Sequence, residues 1–198
     1  MDYTNSFRYK RSSNLDPCDL GNNYLRGIGV KKDEHMAFIY YQKSAEMGNA
    51  SGICNVGYCY ENGIGVEKDE HKAFIYYQKS AEMSNALGTN NVEMGDIDGT
   101  CKVGHCYRNG IGIEKDEHKA FFYFQKAVEM GDIYAIYYLG ECYQNGIGIK
   151  KNLKNAFELY LKSANLSDVD GIKSVGYCYR NGIGTKKNLK EAEHWFRM

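Results

Sequence analysis

A tyrosine followed three residues later by Gly-Ile-Gly occurs five times in this chain, and this repeat constrains the fold more than any other feature. The tyrosines are Tyr24, Tyr60, Tyr107, Tyr143 and Tyr179, spaced by 36, 47, 36 and 36 residues. A period of this length indicates stacked units, each too small to bury its apolar face alone. The sequence therefore predicts an array of repeats, an architecture that usually binds other molecules along an extended surface.

Each repeat has the pattern of a helix–turn–helix unit. In residues 50–61, Val56 and Tyr60 have helical spacing and predict a first helix. Gly63 follows as a helix-ending glycine, and Asp69 is a favourable N-cap for a second helix. In the last two repeats asparagine takes the capping position, as Asn152 and Asn188.

Two columns of small residues recur in the array. The first helices contain Gly21, Gly57, Gly104, Gly140 and Gly176, and the second helices contain Ala37, Ala73, Ala120, Ala156 and Ala192. Glycine within a helix costs about 0.5–1 kcal/mol relative to alanine, so its recurrence predicts a close helix–helix approach. We expect the glycine column to meet the alanine column within each pair.

The repeats divide almost the whole chain. The predicted units are about 16–48, 49–84, 95–131, 132–167 and 168–198. Residues 1–15 are interpreted as a polar, flexible leader. The longest spacing contains an insert at about 84–94, which we interpret as the remnant of a repeat and predict to be a loop because of Gly88 and Asn90-Asn91.

Composition argues against two classes of partner. The 25 basic and 25 acidic residues balance, whereas a dedicated nucleic-acid binder usually has a basic excess. No apolar run approaches the ~20 residues that span a bilayer, and residues 1–15 have no signal-peptide apolar region. We therefore expect neither nucleic-acid binding nor membrane insertion.

The seven cysteines occur in two columns of the first helices. One column is Cys18, Cys54 and Cys101, and the other is Cys59, Cys106, Cys142 and Cys178. Members of a column are one repeat apart, and neighbouring helices pack ~8–10 Å apart, whereas a disulfide needs Cα atoms within ~7 Å. We therefore predict reduced thiols and a cytoplasmic protein.

The combined pattern resembles the Sel1-like repeat, a relative of the tetratricopeptide repeat. The first half of that motif is matched by Leu139-Gly140, Tyr143, Gly146 and Gly148, and the second half by Lys72-Ala73, Tyr76, Lys79 and Ala81, with Ala192 and Trp195 in the last copy. The Tyr-Cys-Tyr and Asn-Gly-Ile-Gly sequences resemble versions expanded in some fungi. The resemblance implies an all-α, right-handed α-solenoid of five helix pairs.

The resemblance also implies a function. Sel1-like proteins are mostly adaptors that assemble other proteins, including in signalling, so we expect a non-enzymatic scaffold that binds proteins or peptide segments. One cysteine-rich branch is linked to β-lactam binding and pairs the two helices of a hairpin by a disulfide. A β-lactam-binding or β-lactam-hydrolysing enzyme of that branch is one alternative, although the second helices here contain no cysteine. A structural spacer from a longer protein is another.

Three columns of the first helix vary between repeats while the apolar columns barely change. Their offsets of four and three place them on one helical face. In the last four repeats these columns contain Cys54, Tyr58, Glu61, Cys101, His105, Arg108, Tyr137, Glu141, Gln144, Lys173, Tyr177 and Arg180, after Cys18, Asn22 and Leu25 in the first. By analogy with tetratricopeptide proteins this face lines the concave groove and binds the partner. The alternative is an ordinary solvated face.

An asparagine column lies beside that face. It consists of Asn62, Asn109, Asn145 and Asn181. Asparagine in tetratricopeptide clamps can hold a peptide backbone or carboxylate, so these residues are included in the predicted groove. Asparagine before glycine is also ordinary turn chemistry, and that alternative remains open.

Neither metal binding nor catalysis is predicted. His35, His71 and His118 are one repeat apart, too far to share a metal whose bonds to nitrogen are ~2.0–2.1 Å long. The Cys101 and His105 pair has no evident orienting partner, and the common nucleophile, phosphate-loop and zinc motifs are absent. We therefore predict no cofactor, whereas the partner, the pathway and the oligomeric state stay open.

Overall fold

The computed structural model describes residues 15–83 and 96–198, and within these ranges it contains helices and no strands. The predicted leader lies almost entirely outside the described residues, as does the predicted loop at 84–94. The helices are α1 Pro17–Arg26, α2 Glu34–Glu46, α3 Ala50–Asn62, α4 Glu70–Glu82, α5 Ile97–Asn109, α6 Glu117–Glu129, α7 Ile133–Asn145, α8 Leu153–Asn165, α9 Val169–Asn181 and α10 Leu189–Arg197.

The chain forms two compact units, Met1–Gly99 and Thr100–Met198. In the first, Cys18, Tyr41 and Val56 belong to a buried core. In the second, Tyr160 and Val175 belong to the corresponding core. Each core is built from helices of successive repeats, so the repeats stabilise one another within a unit.

The turn within each pair is closed by the predicted capping chemistry. Gly63 has a φ of 69°, and the Ile64 N–H returns to the Cys59 carbonyl at 3.0 Å. The Asp69 carboxylate accepts the Lys72 N–H at 2.9 Å, which confirms the predicted N-cap. Asn152 and Asn188 cap α8 and α10 in the same way, as predicted.

The second glycine of the Gly-Ile-Gly turn has a role that the sequence did not indicate. A Cβ on Gly65 would overlap the carbonyl oxygen of Glu34, at the start of the second helix of the preceding repeat. The adjacent His35 Nδ1 lies 3.1 Å from the Gly65 carbonyl oxygen. Gly148 has the same relation to Glu117 and His118, with a ring-to-carbonyl distance of 2.9 Å. These residues therefore join consecutive repeats within each unit.

The glycine column of the first helices faces an aromatic ring. A Cβ on Gly140 would lie 2.7 Å from Cε1 of Tyr160, one helical turn beyond Ala156. The corresponding rings in the other repeats are Tyr41, Tyr77, Phe124 and Phe196. The predicted close approach is therefore present, and a ring makes its shortest contacts. At Gly57 the carbonyl oxygen of the column residue Ala73 also takes part, 3.2 Å from an added Cβ.

The signature tyrosines connect two repeats through their rings. Tyr60 stacks on Tyr76 of its own repeat with a 5.6 Å centroid distance. The same ring makes an edge contact with Phe38 of the preceding repeat at 5.5 Å. Its backbone carbonyl accepts the Asp69 N–H at 2.9 Å. Tyr60 therefore joins the helices of its own repeat and the repeat before it.

Candidate protein-binding face

The residues of the three variable columns lie along the first helices, and we call this set the variable face. In the first unit, Tyr58 is 37% exposed. The Glu61 carboxylate accepts a 2.6 Å hydrogen bond from the hydroxyl of the buried Tyr77. The variable face of this unit therefore combines the exposed Tyr58 ring with the Glu61 carboxylate, whose position is fixed by the hydrogen bond from Tyr77.

Two residues of the predicted groove are not on the surface. Cys54 and Cys101 are each only 7% exposed. Both are small and apolar, and they fill the core beneath the variable face. Their assignment to a partner-contacting surface is therefore corrected.

His105 is packed between aromatic rings of the second unit. Its ring lies 5.1 Å from that of Phe124 and 4.2 Å from that of Tyr138, both edge-on. Burial lowers the pKa of His105 to about 4, with a smaller contribution from Lys102 and Arg108. The imidazole is therefore neutral near pH 7 and acts mainly as a packed ring.

Arg108 and Glu141 form an ion pair between two repeats. The Arg108 Nη1 donates to the Glu141 Oε2 at 2.6 Å, and both side chains are 22% exposed. Salt screens a partly buried pair of this kind less than a fully exposed one. The charge of Glu141 is consequently balanced by a neighbour in the structure itself.

A depression of about 320 Å³ lies beside this ion pair, and we call it the α7/α9 pocket. It is lined by Tyr137, Glu141, Gln144, Tyr160, Lys173, Ser174, Tyr177 and Phe196. Five of these residues belong to the predicted groove. Burial, with a smaller contribution from Glu141, raises the pKa of Tyr137 to about 12, so its hydroxyl remains a hydrogen-bond donor at neutral pH.

The α7/α9 pocket continues along an exposed face of α9. Lys173, Tyr177 and Arg180 are spaced by four and three residues, so they share one side of the helix. Tyr177 is 53% exposed. The Lys173 ammonium has only a 3.5 Å, solvent-exposed contact with Asp170, which contributes little.

Metal and thiol chemistry have little support in the described residues. No three His, Cys, Asp or Glu side chains in residues 15–83 and 96–198 could hold a metal ion. All seven cysteines are buried, and none of them forms a disulfide. Burial raises the pKa of Cys59 to about 12 and of Cys142 to about 11, which opposes formation of a reactive thiolate.

The sequence model of the Sel1 repeat matches residues 18–49, 50–85, 97–132, 133–168 and 172–198. The chain belongs to the Sel1 repeat family. The match supports the family without distinguishing a fungal version. None of the curated proteins compared with this chain matches it significantly.

Two solved structures share the Sel1-repeat fold with this chain. A Sel1 repeat protein from Oxalobacter formigenes is 30% identical, with a TM-score of 0.79 over 91% of this chain and 69% of that one. A protective antigen of uropathogenic Escherichia coli, described as displaying an SLR fold, is 28% identical, with a TM-score of 0.75. That alignment covers 91% of this chain and 36% of the antigen. The predicted all-α architecture of Sel1 helix pairs is confirmed.

Proteins built from Sel1 repeats generally mediate protein–protein interactions. In this Sel1-repeat chain, the asparagine column makes the contacts of turn chemistry. The Asn62 amide donates to the Tyr58 carbonyl and the Asn181 amide to the Tyr177 carbonyl, both at 2.9 Å. A ligand-binding role for this column stays a prediction.

Three residues of the α7/α9 pocket were missed by the sequence analysis. Tyr160 and Phe196 belong to second helices, and Ser174 lies beside the variable columns of α9. The recurrence of an aromatic residue four positions after each column alanine is the signal that could have identified Tyr160 and Phe196. Because these rings lie over the glycine column, their edges reach the variable face.

Proposed function

We propose that this chain is a non-enzymatic adaptor that binds an extended segment of a partner protein along the variable face. The observation that carries the proposal is the α7/α9 pocket. Its lining contains five residues of the three variable columns, and these include charged side chains and the exposed ring of Tyr177. Exposed tyrosine rings are favoured in protein interfaces because they add contact area at low entropic cost.

The remaining parts of the proposal have separate support. By analogy with tetratricopeptide proteins, the variable face would line a concave groove. Buried cysteines outside disulfides suit a reducing compartment, so we propose that the protein acts in the cytoplasm. A signalling role rests on the family resemblance alone.

A specific observation weighs against the β-lactam alternative. The cysteine-rich branch pairs the two helices of a hairpin by a disulfide, whereas all seven cysteines here lie in first helices and none forms a disulfide. The Cys101 and His105 pair also lacks the features of a catalytic nucleophile. Cys101 is buried, and the His105 ring is enclosed by Phe124 and Tyr138.

Site-specific photo-crosslinking in lysate of the source cell tests the adaptor proposal. A photoreactive phenylalanine analogue replaces Tyr58 in one variant and Tyr177 in another. The control carries it at Phe122, an aromatic residue of α6 that is 60% exposed but lies on a second helix. Mass spectrometry of the adducts should identify partner peptides joined to position 58 or 177 and missing at position 122.

Two outcomes would contradict the proposal. Adducts at position 122 alone would move the interface to the second helices. The absence of adducts at all three positions in folded protein would favour a structural spacer. His105 and Arg108 are unsuitable for this test because their replacement would disturb internal packing and the ion pair.

A further inference from the structure

The α7/α9 pocket is lined by one cation and by several neutral groups that can both donate and accept hydrogen bonds. The Lys173 ammonium group only donates, the Gln144 amide can donate or accept, and the Tyr137 hydroxyl is already directed to Glu141. The one carboxylate in the lining, Glu141, already accepts from Arg108 at 2.6 Å. The group in this lining that requires an acceptor from a ligand is therefore Lys173, while Glu141 already has its partners.

The charged side chains of α9 near the pocket are mostly cationic. Arg180 is exposed, and no partner for it occurs among residues 15–83 and 96–198. Lys173 has only its weak contact with Asp170. With Glu141 balanced by Arg108, the cations that remain available along α9 outnumber the single exposed carboxylate of Asp170.

The rest of the pocket is aromatic. Tyr137 and Tyr160 have ring centroids 5.7 Å apart, and Phe196 and Tyr177 add rings that are 50% and 53% exposed. These rings leave apolar surface uncovered in a depression of about 320 Å³. A large apolar or aromatic side chain of the ligand would remove that surface from water.

We propose that the α7/α9 pocket selects an acidic peptide segment, in which an aspartate or glutamate lies beside a large apolar residue. The carboxylate pairs with Lys173 and Arg180, and the apolar side chain packs against the rings of Tyr137, Tyr160 and Phe196. This inference rests on the proposed adaptor function and names the chemistry of the partner. The first unit is not expected to share the preference, because its variable face presents Glu61 and no lysine or arginine.

Selection from a random peptide library displayed on phage tests this inference with the whole chain as the target. Wild-type protein should enrich peptides that carry Asp or Glu next to aromatic or aliphatic residues. The variant Lys173→Glu/Arg180→Glu should lose these peptides and enrich Lys and Arg in their place. Lys150→Glu/Lys186→Glu, which makes the same charge change at exposed turn positions outside the pocket, should enrich the wild-type set.

A synthetic copy of the most enriched peptide then gives the affinity by fluorescence anisotropy. We expect at least a tenfold weaker Kd for Lys173→Glu/Arg180→Glu, a smaller loss for Lys173→Gln/Arg180→Gln, and less than a twofold change for the control. Higher salt should weaken wild-type binding, because exposed charges are screened. The glutamine variant also keeps the test informative if the reversed charges disturb folding.

The outcomes separate the inference from the function on which it rests. If the enriched peptides have no excess of Asp and Glu, or if Lys173→Glu/Arg180→Glu enriches the same peptides as the wild type, the acidic preference is overturned. The proposal of a peptide-binding groove would then still stand. No enrichment by any folded variant, together with no adducts in the crosslinking experiment, would overturn both. Enrichment abolished by Tyr58→Ala and unaffected by Lys173→Glu/Arg180→Glu would place peptide binding in the first unit and overturn the inference.

Discussion

At the scale of single residues, the two glycines of the turn before α8 experience different surroundings. Gly146 and Gly148 have φ angles of 79° and 65°, which strain any other residue. A Cβ on Gly146 would find ordinary contacts, the nearest at 3.6 Å. On Gly148 it would overlap the Glu117 carbonyl oxygen. The sequence alone shows two equivalent glycines, and only the three-dimensional contact distinguishes them.

We predict that Gly148→Ala destabilises the chain more than Gly146→Ala. Gly146→Ala should lower the free energy of unfolding by about 1 kcal/mol, from backbone strain alone. Gly148→Ala adds a clash with the preceding repeat and should cost about 3 kcal/mol or more. Urea denaturation followed by circular dichroism measures both values. Equal losses in the two variants would show that the contact with Glu117 is unimportant.

A second residue-scale prediction concerns the pH dependence that His105 causes. Its pKa in the folded chain is about 4, below the ordinary value of about 6.5 expected after unfolding. The unfolded chain therefore binds the proton more tightly. The contribution of neutral His105 to the free energy of unfolding is fully present above the pKa of this residue in the unfolded chain. It is lost as the pH falls toward its pKa in the folded chain.

The expected loss is about 2 kcal/mol between about pH 7 and about pH 5. His105→Phe retains a ring against Phe124 and Tyr138 but cannot be protonated. Its free energy of unfolding should therefore fall less over this interval than that of the wild type. Urea titrations of both proteins at the two pH values measure the difference. Parallel losses would mean that His105 is solvated in the folded chain.

At the scale of elements, serine–aspartate bonds connect one repeat to the next. At the junction of α8 and α9, the buried Ser163 hydroxyl donates to Asp168 Oδ2 at 2.6 Å. The same oxygen accepts the Gly171 N–H at 2.9 Å. Ser44 occupies the equivalent position before α3, where the next cap is Asn49. Its hydroxyl has no partner in the described chain beyond the weakly polar Cys18 thiol.

We predict losses of different size for alanine at these two equivalent serines. Ser163→Ala removes a charge-assisted bond and should lower the free energy of unfolding by about 1–2 kcal/mol. Ser44→Ala should change it by less than about 0.5 kcal/mol, because little is lost with its hydroxyl. Denaturation of the two variants under one condition gives the comparison. A larger loss for Ser44→Ala would contradict this account.

The helices themselves were predictable because local signals agree at each end. The caps Asp69, Asn152 and Asn188 were identified from spacing alone. The sequence predicted five of the eight residues that line the α7/α9 pocket. Variation between repeats identified Tyr137, Lys173 and Tyr177, since it marks positions without a fixed packing partner. It could not identify Tyr160 or show that Cys54 points inward, because those properties depend on contacts between helices.

At the scale of the whole molecule, the burial of the seven cysteines leads to one prediction for all of them. All are buried, and burial raises the pKa values of Cys59, Cys142 and Cys178. Reaction with a chromogenic thiol reagent should therefore be slow in the native protein and reach all seven thiols only in denaturant. Rapid modification of the native chain would reveal a thiol that opens to solvent.

No helix in the described ranges has the length and apolarity needed to cross a membrane. The charged residues are concentrated on helix surfaces and turns, as the pairs Lys68–Glu70 and Lys115–Glu117 illustrate. Such exposed pairs contribute little stability. Most of the stabilisation in each unit comes instead from contacts between successive helices.

The histidine-to-turn contacts also affect how such a chain can change its length. His35 meets Gly65 and His118 meets Gly148, and in each case the two partners are 30 residues apart. Duplication, by unequal recombination, of a repeat that carries this histidine would bring an equivalent histidine and glycine together at the new boundary, whereas the last two repeats have Lys154 and Lys190 at the position. The number of repeats can therefore evolve without the invention of a new interface, while the variable face of each copy diverges independently.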